Sequence, residues 1–172
     1  MSKNKRLKKR LHQSLFFPTI ILLAVAVLSA CGRNSLYEKN VDLDKRMWIA
    51  DSTFSFTFKV TDPSPTYDIF LNVRNTLAYP YQNIYIQSEM KNGQGEVLLK
   101  QLNNIQLFDT RSGKPFGKGL GDIFSHEYKA ITGYQFSDTG QYTIELQQYM
   151  RRDTLPELLS VGIGVVEKSI DE

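Results

Sequence analysis

The sequence predicts an all-β protein, a single antiparallel β-sandwich of the immunoglobulin-like or jelly-roll-like kind. Three observations support this prediction. Short runs of alternating apolar and polar residues recur from Thr53 onward, separated by turn residues. The same region shows no sustained 3.6-residue period of the kind that marks a long helix. The run from Asp138 to Tyr142 has the D-x-G-x-Y form of a tyrosine corner, in which a Tyr hydroxyl near the start of a late strand bonds to upstream backbone.

The first strands follow directly from their alternation. The strand from Thr53 places four apolar side chains on one face: Phe54, Phe56, Phe58 and Val60. The segment Asp62–Pro65 ends it, because proline has no N–H to give to a ladder. A second strand covers Tyr67–Arg74, and the loop Asn75–Asn83 follows. The next strand turns four side chains to one side: Ile84, Ile86, Ser88 and Met90.

Turn residues place the remaining elements. Asn92–Gly95 predicts a hairpin whose return strand is Glu96–Lys100. The glycine-rich interval Arg111–Asp122 predicts a flexible or tightly turned connector. Ile123–Ile131 fits either a short helical turn or an irregular strand. Three further short strands are predicted in the second half of the chain: Ile105–Phe108, Tyr134–Phe136 and Val161–Glu167. Trp48, the only tryptophan, is expected in the core.

The first thirty residues have the character of an export signal. Positions 3–10 are rich in Lys and Arg without any acidic residue, and the apolar run Leu15–Leu28 follows. The run ends in Leu28-Ser29-Ala30-Cys31, a lipobox, in which small side chains fit a signal peptidase and the thiol accepts a diacylglyceryl group. Residues 1–30 are therefore predicted to be a lipoprotein signal peptide and Cys31 the lipidation site. The alternative is an uncleaved membrane helix. Such a helix needs about 20 apolar residues, and the run Leu15–Leu28 is shorter than that.

Cleavage before Cys31 changes the charge balance. The whole chain has 21 basic and 18 acidic residues, but six basic residues precede Cys31, so the remainder carries a net charge of −3. We therefore expect no nucleic-acid partner. Residues 31–40 are predicted to be a lipidated tether to the membrane. Residues 41–172 are predicted to form the β-sandwich domain.

The search for catalytic and metal-binding motifs is negative. His126 is the only histidine after the signal, and with no second cysteine a zinc site cannot be assembled, so no metal and no cofactor are expected. His126 is interpreted as an ordinary loop residue. The glycine spacing fits neither a phosphate-binding loop nor a dinucleotide fingerprint, since Gly117 comes too early and Asp122 replaces the required glycine. The sequence therefore predicts a protein that is not an enzyme.

The tyrosines are the feature most open to a binding role. Tyr79-Pro80-Tyr81, stiffened by its proline, is the first candidate for an exposed platform, although the favoured interpretation is that a small sandwich uses aromatics as core residues and loop plugs. The candidate interaction loop comprises four residues: Arg74, Asn75, Tyr79 and Tyr81. One hypothesis is an interaction protein that docks through the loops Asn75–Asn83 or Arg111–Asp122. The alternative is a lipid-anchored glycan-binding module that uses exposed tyrosines.

Several blocks resemble the gliding-motility lipoprotein GldH family of Bacteroidota. They are Leu36–Glu38, Asn72–Thr76, Tyr79–Asn83, Gly117–Ile123 and Gln147–Arg151 with Leu155-Pro156. The resemblance implies a lipid-anchored cell-envelope protein, associated with gliding motility and its linked secretion machinery, whose partners are envelope proteins. It implies no catalytic residue, and Cys31 alone carries over as a functional position. Residues 32–35 lack an acidic cluster resembling a surface-export signal, which favours a periplasm-facing position.

Overall fold

Two antiparallel sheets and a small ribbon form the part of the chain that this computed structural model describes, residues 34–168. The strands are β1 (Ser35–Asp42), β2 (Met47–Ile49), β3 (Thr53–Val60), β4 (Tyr67–Thr76), β5 (Asn83–Lys91), β6 (Val97–Gln106), β7 (Lys118–Leu120), β8 (Ile123–Tyr134), β9 (Gly140–Gln148), β10 (Thr154–Pro156) and β11 (Leu158–Glu167). A 3-10 helix, Asp44–Arg46, separates β1 from β2. The predicted signal peptide and Cys31 lie outside the described residues.

The strand order is that of a sandwich. The larger sheet runs β1-β11-β4-β8-β7, the smaller runs β3-β9-β5-β6, and β2 pairs with β10. Every pairing is antiparallel. The predicted all-β antiparallel fold is therefore confirmed. Within the described residues, no helix has the length and apolar character needed to cross a membrane.

The core lies between the two sheets, and alternation fills it as predicted. In β3 the side chains of Phe56, Phe58 and Val60 are buried, and in β5 those of Ile84 and Ile86 are fully buried. A continuous cluster then joins these side chains to the inward faces of β4, β9 and β11. Burial of this apolar surface is the main force that holds the sheets together.

The tryptophan position is also confirmed. Trp48 is 1% exposed, opposite Leu155 in the β2–β10 ribbon. Its indole N–H donates to the carbonyl of Ser52 at 3.1 Å. The polar end of the ring is thus satisfied while the remainder is buried in the core.

The tyrosine corner forms as the D-x-G-x-Y run predicts. The Tyr142 hydroxyl donates to the carbonyl of Asp138 at 3.0 Å. A second, similar bond links the Tyr67 hydroxyl to the carbonyl of Asp62 at 2.7 Å. Both tyrosine rings contact Phe136, with centroid separations of 4.6 Å for Tyr142 and 5.3 Å for Tyr67. Two loops at one end of the sandwich are therefore fixed to a shared aromatic centre.

The predicted tether needs correction. Its second half belongs to β1, which pairs antiparallel with β11 along Ser35–Asp42. Leu36 and Tyr37 pack partly against the core. The domain thus begins before residue 41. β1 is defined by its pairing with β11 and not by an alternating apolar pattern. The two strands lie so close together that a Cβ added to Gly162 would overlap Asn40.

Three other boundaries differ from expectation. Ile105 continues β6 instead of starting a new strand, and Phe108 makes only an isolated bridge to Pro115. The segment expected at Ile123–Ile131 is part of the twelve-residue β8, which ends at Tyr134, so the helical alternative is wrong and no separate strand forms at Tyr134–Phe136. Two register irregularities against β4 explain this, since each bulge inserts an extra residue and breaks the two-residue period.

The two ends of the sandwich carry different segments of the chain. Both ends of the described chain lie at one of them, where the Glu167 N–H donates to the carbonyl of Asn34 and the Lys168 N–H donates to Thr66. We call this the terminal end. The opposite, loop end carries residues 77–82, residues 107–122 and the 3-10 helix. The ten residues of β4 connect the two ends, about 30 Å apart.

Candidate interaction surface

The two predicted docking loops are neighbours at the loop end. The Leu77 N–H donates to the carbonyl of Asp122 at 2.8 Å, which ties the first loop to the second. The carbonyl of Gln82 accepts the N–H groups of Leu107 and Phe108, at 2.8 and 3.0 Å. Residues 77–82 and 107–122 are therefore parts of one surface rather than alternative sites.

The predicted tyrosine platform is largely internal. Tyr79 is 5% exposed, and its hydroxyl donates to the carbonyl of Asn83 at 3.3 Å. Tyr81 is half-buried, with its ring edge-on to Tyr79 at 5.6 Å. Burial, with a smaller effect from Tyr81, raises the pKa of Tyr79 well above its usual range, so the hydroxyl stays neutral. The expectation of an exposed platform is corrected for Tyr79, whose ring packs into the core.

The other two residues of the predicted interaction loop belong to β4. Arg74 is exposed on the outer face of the larger sheet, opposite Ser125. Asn75 is fully buried, and its amide N–H donates to the carbonyl of Thr76 at 2.8 Å. The side-chain oxygen of Asn75 has no partner among the described residues. Arg74 alone of this pair is available to a partner.

Apolar side chains are exposed at the loop end instead. Six of the nine exposed large hydrophobic residues in the described chain lie there: Met47, Ile49, Leu77, Phe116, Leu120 and Tyr149. We call these six the loop-end apolar surface. Leu120 is 91% exposed at the tip of the β7–β8 hairpin, where Gly121 supplies the positive φ of the turn. These six side chains are spread across one end of the sandwich, and exposed apolar residues concentrated on one part of a surface are typical of protein contact sites.

Sequence reasoning gave no signal for most of this surface. Leu120 was detectable in principle, because an apolar residue between two glycines at a hairpin tip is unusual where turn residues are normally polar. Met47 and Ile49 follow from the β2–β10 ribbon, whose pairing is long-range and has no local pattern. Exposure of these side chains depends on tertiary contacts that single-sequence patterns do not encode.

A strained charged cluster lies beside the surface. Lys45, Arg46 and Glu157 have positive φ values of 51°, 56° and 62°, a region that non-glycine residues rarely adopt. Glu157 accepts the Thr76 N–H on its carbonyl and the Thr76 hydroxyl on its carboxylate, at 3.0 and 2.8 Å. The Arg46 guanidinium lies 4.0 Å from the same carboxylate. These contacts hold β4, β11 and the 3-10 helix together where the loops begin.

His126 is not the loop residue that was expected. It lies in β8 opposite Val73 and is 7% exposed. Gly117 covers its ring so closely that a Cβ there would lie 2.8 Å from His126 Cε1. Burial lowers the pKa of His126 to about 4, and its Nε2 has no partner in the described part of the chain. The imidazole is neutral at pH 7 and acts as a packing residue beneath the glycine-rich loop.

Metal-binding groups are not assembled in residues 34–168. No set of three or more His, Cys, Asp or Glu side chains there is placed to hold an ion. Three carboxylates have local partners: Asp62 accepts the Ser64 N–H, Asp109 accepts the N–H groups of residues 111 and 112, and Asp68 pairs with Lys129 at 2.6 Å.

Comparison with known proteins gives concordant results. The family model described as GldH lipoprotein matches residues 35–165, from β1 almost to the end of β11. The "Gliding motility lipoprotein GldH homolog" of Christiangramia forsetii is 27% identical over 143 residues, covering 82% of this chain and 85% of the relative. The "Gliding motility lipoprotein GldH" of Flavobacterium johnsoniae is 22% identical over 159 residues, covering 87% and 95%.

Proposed function

The chain belongs to the GldH lipoprotein family, and from this premise we propose that it is a lipid-anchored, non-catalytic docking protein of the bacterial cell envelope. Its partners in this proposal are envelope proteins of the gliding-motility machinery and the secretion apparatus linked to it. The names of both relatives state a lipoprotein and a motility context, and neither name states a reaction.

The proposed anchor is a lipid on Cys31, with the domain facing the periplasm. Four peptide steps separate Cys31 from Ser35, the first residue of β1, and they reach at most about 14 Å. A domain attached in this way stays next to the membrane with its terminal end nearest the lipid. A diacylated or triacylated cysteine gives stable attachment, whereas one chain gives marginal attachment.

The observation that carries the docking proposal is the loop-end apolar surface. Its side chains are exposed at the end of the sandwich opposite Asn34 and Lys168, the ends of the described chain, about 30 Å from them. A protein anchored through its terminal end would present this surface away from its own membrane. Apolar side chains exposed in that position favour contact with another protein over a purely solvated loop.

The glycan-binding alternative loses its main support. It placed its sugar platform at Tyr79-Pro80-Tyr81, and Tyr79 is buried with its hydroxyl bonded to backbone. Tyr81 is half-buried against it. Docking to protein is therefore the function we propose.

The test is complementation of a gene deletion in a gliding host. Leu120→Glu should fail to restore spreading motility and protein secretion, because a charge at the most exposed leucine disrupts an apolar contact. Gln141→Glu, an equally charged change on the exposed outer face of β9 opposite Lys59, should restore both. Normal motility and secretion in the deletion strain itself, or full rescue by Leu120→Glu, would contradict the proposal.

A further inference from the structure

The turn between β5 and β6 contains the one Asn-Gly pair of the sequence, Asn92-Gly93. Asparagine is a chemically labile residue, because a backbone nitrogen can attack its side-chain amide. The attacking nitrogen is that of the following residue, and glycine has no Cβ to obstruct the approach. Gly93 is exposed to solvent, which supplies the water that such a reaction consumes. A reactive asparagine pair therefore lies at a surface turn.

The turn folds the Asn92 side chain back toward the peptide that follows it. Asn92 Oδ1 accepts the N–H of Gln94 at 3.1 Å, which forms an Asx turn. The ring of atoms closed by this bond contains both the side-chain carbon Cγ of Asn92 and the backbone nitrogen of Gly93. The electrophile and the nucleophile of the reaction are thus held within one small ring.

Two donors meet the oxygen on which negative charge develops during the attack. Besides Gln94, the Glu96 N–H donates to Asn92 Oδ1, at 2.9 Å. Attack on Cγ turns this oxygen into an oxyanion, and backbone N–H groups aimed at an oxyanion lower the energy of the tetrahedral species. The two N–H groups therefore stabilise the intermediate more than the starting amide.

The two nitrogens that take part in the reaction differ in their hydrogen bonds. Asn92 Nδ2, the nitrogen that leaves, donates to the Glu96 carboxylate at 3.1 Å. The Gly93 N–H has no hydrogen-bond partner within residues 34–168. Attack by the Gly93 nitrogen therefore breaks no backbone hydrogen bond of the turn.

We propose that Asn92 is a site of spontaneous deamidation in the folded protein. The Gly93 nitrogen bonds to Asn92 Cγ and gives up its proton, while the bond from Cγ to Nδ2 breaks and Nδ2 leaves as ammonia. The product is a cyclic succinimide. Water then opens the ring at either carbonyl. Breaking the new Cγ–N bond leaves aspartate, and breaking the original peptide bond leaves isoaspartate.

The reaction changes the hairpin in both charge and length. Each event replaces a neutral amide by a carboxylate next to Glu96, which loses the Nδ2 donor and faces a like charge. Isoaspartate also adds the side-chain methylene to the backbone. The bond from the Asn92 N–H to the Glu96 carbonyl, 3.0 Å long, should then open. This hairpin lies at the terminal end, so the inference is separate from docking at the loop-end apolar surface.

The test incubates the purified lipidated protein, folded in detergent micelles, in neutral buffer. Peptide mapping by mass spectrometry should show aspartate and isoaspartate accumulating at position 92. Asn104 is the internal control, because it is exposed but is followed by the branched Ile105, and it should stay unchanged in the same sample. Asn92→Asp reproduces the charge of the product, and it should speed amide exchange in the hairpin.

Gly93→Ala tests the role of the attacking nitrogen. The added Cβ would lie 3.3 Å from the Gln141 carbonyl oxygen, a close contact without overlap, so a thermal melt checks that the variant folds. Conversion at position 92 should slow about tenfold, because a methyl group beside the nitrogen hinders its approach to Cγ.

Three results would overturn the inference. They are an unchanged Asn92 in the folded protein under conditions in which the urea-unfolded chain converts, equal conversion at Asn104, and undiminished conversion in folded Gly93→Ala. If Gly93→Ala does not fold, the comparison of folded and unfolded wild-type protein decides alone. Because the reaction is followed on purified protein, its outcome is independent of the complementation result for Leu120→Glu.

Discussion

The Tyr142 hydroxyl is bonded to the carbonyl of Asp138, four residues earlier, at 3.0 Å. This bond closes the turn that leads into β9, and the ring of Tyr142 packs on Phe136 in the core. A residue near the start of β9 therefore fixes both a loop and an aromatic cluster. The two roles can be separated, because the bond needs the hydroxyl and the packing needs only the ring.

Tyr142→Phe should lower the free energy of unfolding by about 1 kcal/mol, the usual net value of one hydrogen bond. The ring remains, so the cluster around Phe136 should persist and near-ultraviolet circular dichroism should change little. Chemical denaturation measures the loss. Tyr149→Phe is the control, since Tyr149 is 57% exposed, and it should be close to neutral. Equal losses in the two variants would refute a special role for the corner.

Stability should fall as the pH is lowered from 6.5 to 4, because of His126. Its pKa is lowered to about 4 by burial, so between these values the unfolded chain binds a proton that the folded chain does not. The contribution of neutral His126 to the free energy of unfolding is fully present above pH 6.5 and decreases as the pH falls. The loss should reach about 3 kcal/mol at pH 4. Denaturation curves measured across this range provide the test.

The acid dependence can be assigned with His126→Gln, which cannot titrate. Its unfolding free energy should be nearly constant between pH 6.5 and 4.5. The carboxylate of Asp68 acts in a different range: burial opposes its ionisation, but hydrogen bonds from Lys129 and Gly133 hold its pKa below the usual value. Its contribution is therefore lost only at more acid pH. A variant that retained the full slope between pH 6.5 and 4.5 would rule out His126 as the source.

Two glycines of β11 should respond oppositely to alanine. A Cβ on Gly162 would overlap Asn40 and the Lys39 backbone, whereas a Cβ on Gly164 would lie 3.8 Å from Phe70, an ordinary contact. Gly162→Ala should cost about 2 kcal/mol or more and release β1, since backbone must move. Gly164→Ala should be neutral or stabilise by about 0.5 kcal/mol. Faster amide exchange in residues 35–42 of Gly162→Ala alone would identify β1 as the affected strand.

Cys31→Ala should separate folding from localisation. The domain starts at β1, so its thermal midpoint should be unchanged by a substitution upstream. Without the thiol no lipid can be attached, and the protein should be lost from the membrane fraction. Fractionation with mass spectrometry of the wild-type N-terminus provides both measurements. Wild-type protein with an unmodified residue 31, or full membrane retention of the variant, would refute lipid anchoring at this position.

The parts of the fold that sequence predicted are those with a local signal. β3 and β5 show strict alternation because one face is buried and one is solvated, and both were placed correctly. The tyrosine corner has a fixed spacing between Asp138 and Tyr142, and its bond forms as expected. Local chemistry alone was sufficient for these elements.

The parts that sequence missed depend on contacts between distant segments. β1 is defined by pairing with β11, more than a hundred residues away, and its own side chains show no period. Bulges in β8 interrupt the two-residue alternation of apolar and polar side chains that would have marked it as one long strand. At the candidate site, Tyr79-Pro80-Tyr81 was the first candidate for an exposed platform because its proline stiffens it, yet the ring of Tyr79 enters the core. Exposure of Leu120 likewise depends on where the β7–β8 hairpin projects.

The pairing of β1 with β11 also determines how the domain withstands tension. β1 runs from the terminal end toward the loop end, in register with β11 from Ser35 to Asp42. A pull on a lipid at Cys31, against a partner held at the loop end, acts along the axis of β1. The hydrogen bonds of the ladder then resist together in shear, instead of opening one after another as in a peeled strand. Under the proposed anchoring at Cys31 and docking at the loop end, the β1–β11 ladder would be the element that bears the load between bilayer and partner.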